Sequence, residues 1–148
     1  MVEVTTFCTG CRACEKICPK HCISMKPDSE GFLYAEIDQS LCVDCGACRK
    51  TCPQNLKVVN DSPLKIYALR SNDDKLLKKS ASGGVFAVAA MFVIQNGGVV
   101  FGAAYDKNMC VKHIKVDCET DLWKLQNSKY VQSDTGDTYV EVKQLLEN

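Results

Sequence analysis

The sequence predicts an α+β protein, with a small N-terminal module organised by cysteines followed by a partial α/β layer. Two observations point to that division. Nine of the eleven cysteines lie before residue 53, whereas Cys110 and Cys118 stand far downstream without a close partner. Near Leu64 the apolar pattern also changes, from short runs between cysteines to the longer segments of ordinary helices and strands. The expected domains are residues 1–61 and 64–148. They meet at Asn60-Asp61-Ser62-Pro63, where turn-forming residues precede a proline that disfavours helix at the residue before it.

A chain of 148 residues has room for one ordinary domain or two very small ones, which excludes a large multidomain enzyme acting alone. At 46% hydrophobic and 24% charged the composition is that of a globular protein, so disorder and collagen-like repeats are excluded. A formal net charge of zero gives no net pull towards nucleic acid or an anionic membrane. The start, Met1 to Thr6, has no basic stretch followed by an apolar run, so a cytoplasmic location without a secretory signal is expected. In that reducing compartment eleven cysteines point to metal binding rather than to a disulfide framework.

Within the first module, Cys8-Thr-Gly-Cys11-Arg-Ala-Cys14-Glu-Lys-Ile-Cys18-Pro19 repeats as Cys42-Val-Asp-Cys45-Gly-Ala-Cys48-Arg-Lys-Thr-Cys52-Pro53. Such a duplication implies pseudo-two-fold symmetry, each half supplying the same local structure. Between the halves, Ile23 to Pro27 and Phe32 to Ile37 flank Asp28-Ser-Glu-Gly31 and read as a hairpin with a glycine-containing turn.

Each quartet follows C-x2-C-x2-C-x3-C-P, the run of two-cluster bacterial ferredoxins, in which the fourth cysteine ligates the other cluster. Three cysteines two residues apart wrap a loop around one centre, and the fourth points to its partner. One [4Fe-4S] cluster is therefore assigned to Cys8, Cys11, Cys14 and Cys52, and the other to Cys42, Cys45, Cys48 and Cys18. Pro19 and Pro53 end the short helices. The competing reading is a pair of structural zinc sites, although these usually join two C-x2-C units across a longer spacer. Cys22 reads as a small buried apolar side chain and His21 as a surface residue.

Downstream, Ile66 to Leu69 reads as a short strand, and Asp73 to Ser80 as a helix capped by Asn72. Ser82-Gly83-Gly84 opens an apolar run, Val85 to Ile94, well short of the roughly 20 residues that span a bilayer, so it reads as a buried helix. Val99 to Tyr105 reads as a buried strand and Val111 to Val116 as an alternating one, with helical candidates at Asp121 to Gln126 and Asp137 to Leu146. Helices alternating with strands imply a sheet covered on at least one face.

Several of these segments resemble the N-terminal domain of the coenzyme F420 hydrogenase/dehydrogenase beta subunit family. They are Tyr67-Ala68-Leu69-Arg70, Ser80 to Phe86, Gly97 to Tyr105, His113 and Ser128-Lys129-Tyr130-Val131-Gln132-Ser133. The resemblance covers most of residues 64–148, and a preceding ferredoxin module is common in that family. It implies an iron-sulfur flavoprotein in which clusters exchange electrons with FAD, and FAD exchanges a hydride with a deazaflavin or another soluble acceptor.

On the residues alone, Ser82-Gly83-Gly84 at a helix start offers backbone N–H groups and close approach suited to a flavin phosphate, or equally a flexible cap with tight packing. The resemblance favours the flavin and adds Lys129 and Tyr130 as flavin or substrate contacts, against a solvated loop. His113 reads as structural, as do Cys110 and Cys118. Asn127 stands where the family motif carries glycine.

The leading function is thus the electron-input part of a flavin-linked oxidoreductase, served by a redox partner protein or subunit. The alternative is a freestanding ferredoxin-like carrier with a partner-docking extension. Residues 1–61 carry seven Lys plus Arg against eight Asp plus Glu, which lacks the acidity that steers many diffusible carriers. No nucleophile elbow, P-loop or dinucleotide fingerprint is present. The chain ends in an apparent helix, at Gln144 to Asn148, where the family continues into a further strand and the rest of the flavin site, so a truncated flavin domain is expected. On that reading FAD titrated into the cluster-loaded chain binds weakly or not at all, and stoichiometric flavin retained through gel filtration would contradict it.

Overall fold

The structure is a computed structural model that describes residues 7–55 and 65–147; the joint expected at Asn60 to Pro63 lies outside the described residues. Two compact units emerge, one formed by Met1–Asn60 with Asp134–Asn148 and the other by Asp61–Ser133. The stretch expected as one domain, 64–148, is therefore divided. Its last segment belongs with the cysteine module because Arg12 pairs with Asp134 and Lys16 with Asp137, ion pairs that no local pattern announces.

In the first unit, helices α1 (Ala13–Ile17) and α2 (Ala47–Thr51) are short, pack against each other and each precede a Cys-Pro pair. Strands β1 (Ile23–Pro27) and β2 (Leu33–Ile37) form the expected antiparallel hairpin, with Ile23 opposite Ile37 and Pro27 opposite Leu33. Phe32 belongs to the turn rather than to the strand. Its N–H and that of Glu30 both donate to Asp28 Oδ1 at 2.9 Å, and Gly31 takes the positive φ of 88° that the reversal requires. The core is Cys18, Cys22, Ile23 and Ala35, bordered by Cys14, Met25, Ile37, Cys42 and Cys48. Sulfur occupies much of the space that leucines and phenylalanines fill elsewhere. A module this small buries little apolar surface and needs an additional staple. Helix α5 (Thr138–Glu147) completes the unit.

The second unit opens with a departure from expectation: Ile66 to Leu69 forms no strand, and Ile66 is 91% exposed. A strand needs a paired edge, and the chain here is instead held where the Ser71 N–H donates to the Gly83 carbonyl at 2.7 Å. Helix α3 (Asp74–Lys78) is capped by Asp73, not by Asn72. Asp73 is one residue nearer the helix, in extended conformation, and its Oδ1 accepts from the N–H groups of Lys75 at 2.8 Å and Leu76 at 3.3 Å.

Helix α4 (Val85–Gln95) follows, ended by Gly97 at φ 78° with its N–H on the Ile94 carbonyl. Strands β3 (Val100–Tyr105) and β4 (Val111–Val116) pair antiparallel in register from Val100 opposite Val116 to Tyr105 opposite Val111. Asp106 shapes their turn by accepting from the N–H groups of Asn108 and Cys110. The helical candidate near Asp121 is a 3-10 segment, Glu119–Lys124. Ala90, Ala104, Val116, Leu122 and Leu125 form the core, with Met91, Ile94, Val100 and Ile114 against it.

Two expectations of burial are corrected here. In α4 only Ala87 and Ala90 are buried and Phe92 is 67% exposed, while in β3 only Ala104 is buried. A single hairpin covers one stripe of a helix, and one helix covers part of a hairpin. Among the described residues the sheets are two separate two-stranded hairpins, and no helix is long and apolar enough to cross a membrane.

The glycines before α4 are required by packing. A Cβ at Gly83 would collide with the Leu69 carbonyl oxygen, and at Gly84, with φ 74°, it would lie 2.7 Å from Leu76 Cδ2. Gly83→Ala should therefore cost about 1–3 kcal/mol, the usual range for overpacking. Gly97→Ala, whose Cβ meets nothing within 4 Å, should lose only the left-handed backbone cost of about 1–2 kcal/mol. Denaturant unfolding followed by the fluorescence of Trp123, the single tryptophan, reads both, and equal stability of Gly83→Ala and the parent would refute the packing argument.

Candidate metal centre

The duplication in sequence is a duplication in backbone. Gly10 (φ 65°) corresponds to Asp44 (φ 52°), and Arg12 (φ 62°) to Gly46 (φ 74°). The helices that follow are of equal length, and their caps agree closely, Cys18 at φ −71°, ψ 113° and Cys52 at φ −72°, ψ 119°. Corresponding hydrogen bonds recur too, Lys16 N–H to the Arg12 carbonyl at 3.0 Å and Lys50 N–H to the Gly46 carbonyl at 3.2 Å. Paired left-handed residues turn successive N–H groups inwards, a geometry found at anion and iron-sulfur sites.

Cys18 leaves its own quartet and lines one recess with Cys42, Cys45 and Cys48, alongside Cys22, Ile23 and Ile37. Burial opposes ionisation of Cys18, yet its thiol is held below the ordinary value because backbone N–H groups of Cys22, Lys20 and His21 and the Cys22 thiol donate to it. Cys22 is buried with its Sγ 3.4 Å from Cys18 Sγ, and its own thiol is pushed up to about 11 by that hydrogen bond, then by burial and by the nearby Cys42. His21 lies at the surface.

In the other loop, burial pushes the Cys14 thiol up to about 11, and Cys11 and Cys8 add to the shift as like charges. These three thiols therefore share a neighbourhood. Such a donor set fits an iron-sulfur cluster, whose cationic core relieves the repulsion among converging thiolates while N–H groups hydrogen-bond to sulfur. Among the described residues no three Cys, His, Asp or Glu side chains are gathered closely enough to hold one metal ion.

The C-terminal segment reaches this first loop. Asp134 accepts from Arg12 Nε and Nη2 at 2.5 and 3.1 Å, Arg12 Nη1 also donates to Glu15, and Thr135 Oγ1 donates to the Cys11 carbonyl at 3.0 Å. Tyr139 stands on α5, and its phenol pKa is raised by burial and by the Cys11 thiol. Sequence reading did not identify Arg12, Asp134, Thr135 or Tyr139, and with 122 residues between Arg12 and Asp134 no periodicity or motif could have linked them.

In the second unit a separate open recess is lined by Ser80 to Ala87 and by Leu125 to Ser128, with Leu69 at its edge. Ser82, Gly83 and Gly84 thus line one concavity, whereas Lys129 and Tyr130 are not part of its wall. Tyr130 is 92% exposed. Lys129 Nζ donates to the carbonyls of Gln126 at 2.6 Å, Lys124 at 3.0 Å and Asn127 at 3.2 Å, which uses its three protons on the loop itself. Burial lowers its pKa. Asn127 adopts φ 66°, so it supplies the left-handed conformation that a glycine would, as asparagine tolerates. His113 is half-buried with Nδ1 2.8 Å from Ser133 Oγ, Cys110 is exposed and Cys118 is half-buried.

Lys129 therefore organises the loop that walls the recess. Lys129→Met should accelerate amide hydrogen exchange across Gln126 to Tyr130 by roughly tenfold or more, as expected for lost charge-assisted hydrogen bonds. Unchanged exchange would mean that the loop holds its shape without the ammonium.

Residues 7–56 match the family model described as a 4Fe-4S dicluster domain. No curated protein matches the chain. The matched stretch contains both quartets and the β1–β2 hairpin and ends before the second unit. The first module is accordingly a ferredoxin-type domain, with iron-sulfur electron transfer as the function it indicates.

Proposed function

We propose that this chain is the electron-input part of a flavin-linked oxidoreductase, its ferredoxin-type domain carrying electrons between a redox partner protein or subunit and FAD or a deazaflavin. The observation that carries the metal assignment is the crossing of Cys18 into the recess lined by Cys42, Cys45 and Cys48. By the symmetry of the repeat, Cys52 joins Cys8, Cys11 and Cys14. When bound, the two [4Fe-4S] clusters supply one-electron transfer at potentials set by charge, sulfur hydrogen bonds and exposure to solvent.

The remaining contributions come from the chain. The left-handed kinks shape each cysteine loop, and the backbone N–H groups after Cys18 lower the pKa of its thiol against the opposing effect of burial. Ile23, Ala35 and Cys22 exclude water from one side of the Cys18 site. Single-ion zinc sites fit less well, since they usually join two C-x2-C units across a longer spacer and seldom use a duplicated C-x2-C-x2-C-x3-C-P run. The flavin end rests on the recess at Ser80 to Ala87, where a helix start lacking a side-chain cap offers N–H groups to a phosphate, and on the family resemblance of residues 64–148.

Anaerobic reconstitution with iron and sulfide tests the assignment. About eight irons per chain are expected from two four-iron clusters. Cys18→Ala and Cys52→Ala should each lower iron to about half, while Cys22→Ala keeps it near the parent value. A colourless chain that takes up zinc in preference to iron, or full iron content in Cys18→Ala, would overturn the assignment.

A further inference from the structure

We propose that the C-terminal segment Asp134–Glu147 is a clamp on the first cysteine loop that makes the cluster there the more protected of the two, with Arg12, Asp134 and Thr135 as its positioning residues. The inference rests on the two-cluster reading above. It begins from a mismatch inside an otherwise faithful repeat. Positions 12 and 46 both adopt left-handed backbone, φ 62° and 74°, but the second repeat uses glycine there and the first uses arginine. A side chain in that conformation is unfavourable unless the surroundings compensate for it.

The compensation is visible in the contacts. The Arg12 guanidinium grips both carboxylate oxygens of Asp134 through Nε and Nη2, while Nη1 holds Glu15 at 2.8 Å. Bidentate pairing of this kind fixes orientation as well as distance. Asp134 Oδ1 also accepts from the Gly136 N–H at 2.9 Å, which turns the chain into α5. Thr135 Oγ1 then donates to the carbonyl of Cys11, itself an assigned ligand, and Lys16 Nζ meets Asp137 at 2.6 Å. Gly46 has no side chain with which to make the equivalent grip, and Cys45, Leu41 and Val43 beside it are exposed.

Removing iron from a cluster requires its loop to open. The first loop can open only by breaking charge-assisted hydrogen bonds to the C-terminal segment, so its iron should leave more slowly. The test uses the reconstituted full chain, challenged anaerobically with excess iron chelator while iron-sulfur absorbance is followed. The parent protein should lose iron in two phases of equal amplitude. Arg12→Gly, which gives the first loop the residue of its twin and keeps the left-handed backbone, should speed the slow phase by about fivefold or more. Thr135→Val should shift the same phase in the same direction by less, and neither substitution should move the fast phase. A single phase in the parent, or a slow phase unchanged by Arg12→Gly, overturns the clamp and leaves the two-cluster reading intact. A chain that binds no iron overturns both.

Discussion

A loop that must present three sulfurs to one centre within seven residues cannot continue any regular structure through them. It has to curl left-handed between the cysteines, and this chain does so at Gly10 and Arg12 and again at Asp44 and Gly46. For Arg12 and Asp44 that conformation costs about 1–2 kcal/mol each. The surrounding core is too thin to hold such kinks by packing alone, being made of Cys18, Cys22, Ile23 and Ala35. The sulfurs themselves add to the strain, since ionising several of them together sets like charges side by side. Binding a cationic cluster reverses that sign, so in a module of this kind cofactor binding and folding are one equilibrium. Helices α1 and α2, the Cys-Pro ends and the β1–β2 hairpin can all be understood as whatever keeps two such loops facing each other.

The second unit solves a different problem with ordinary means. Its core is aliphatic and small, centred on Ala90, Ala104, Val116, Leu122 and Leu125, and polar groups set its corners: Asp73 caps α3, Asp106 folds the β3–β4 turn and Lys129 ties the loop after Leu125. Each corner residue satisfies two or more backbone groups that would otherwise lose their partners on leaving water. That economy explains why one stripe of α4 is packed and the rest left open.

Much of this was legible beforehand wherever the signal was local. The duplicated quartets, the hairpin around Asp28 to Gly31, the apolar run of α4 and the alternation of β4 all follow from spacing within a dozen residues, and the residues found there match the expected elements. Ile66 to Leu69 misled because an apolar run encodes only a preference for burial, whereas a strand also needs a neighbour. Asn72 and Asp73 are both good caps, and only the geometry of the first turn chooses between them. The destination of α5 was not legible at all. Its amphipathic pattern allows docking against either unit, and the choice is made by Arg12, whose partner lies 122 residues away. A hint existed in the repeat, where arginine stands in one copy and glycine in the other, but the side chain's purpose is visible only once Asp134 is in place.

The glycines before α4 show how one sequence signal carries two demands. As letters, Ser82-Gly83-Gly84 ahead of a helix suits close approach of a phosphate and suits close approach of the chain to itself. In the fold the second demand is met: the room left by the missing Cβ of Gly83 is taken by the Leu69 carbonyl, and that of Gly84 by Leu76 and Ser71. Ser80 is engaged as well, its hydroxyl donating to the Leu76 carbonyl at 2.9 Å. The identity of these glycines is thus accounted for by packing and adds nothing to the case for a ligand. What bears on a ligand is narrower, namely the uncapped start of α4 and the exposed Ser82 on the wall of the recess. Recognition of a flavin phosphate at that place would have to come from backbone N–H groups of Val85 to Ala87 and one hydroxyl. Lys129 is not on that wall, and its three ammonium protons are committed to the carbonyls of Lys124, Gln126 and Asn127, which leaves none to donate to a phosphate there.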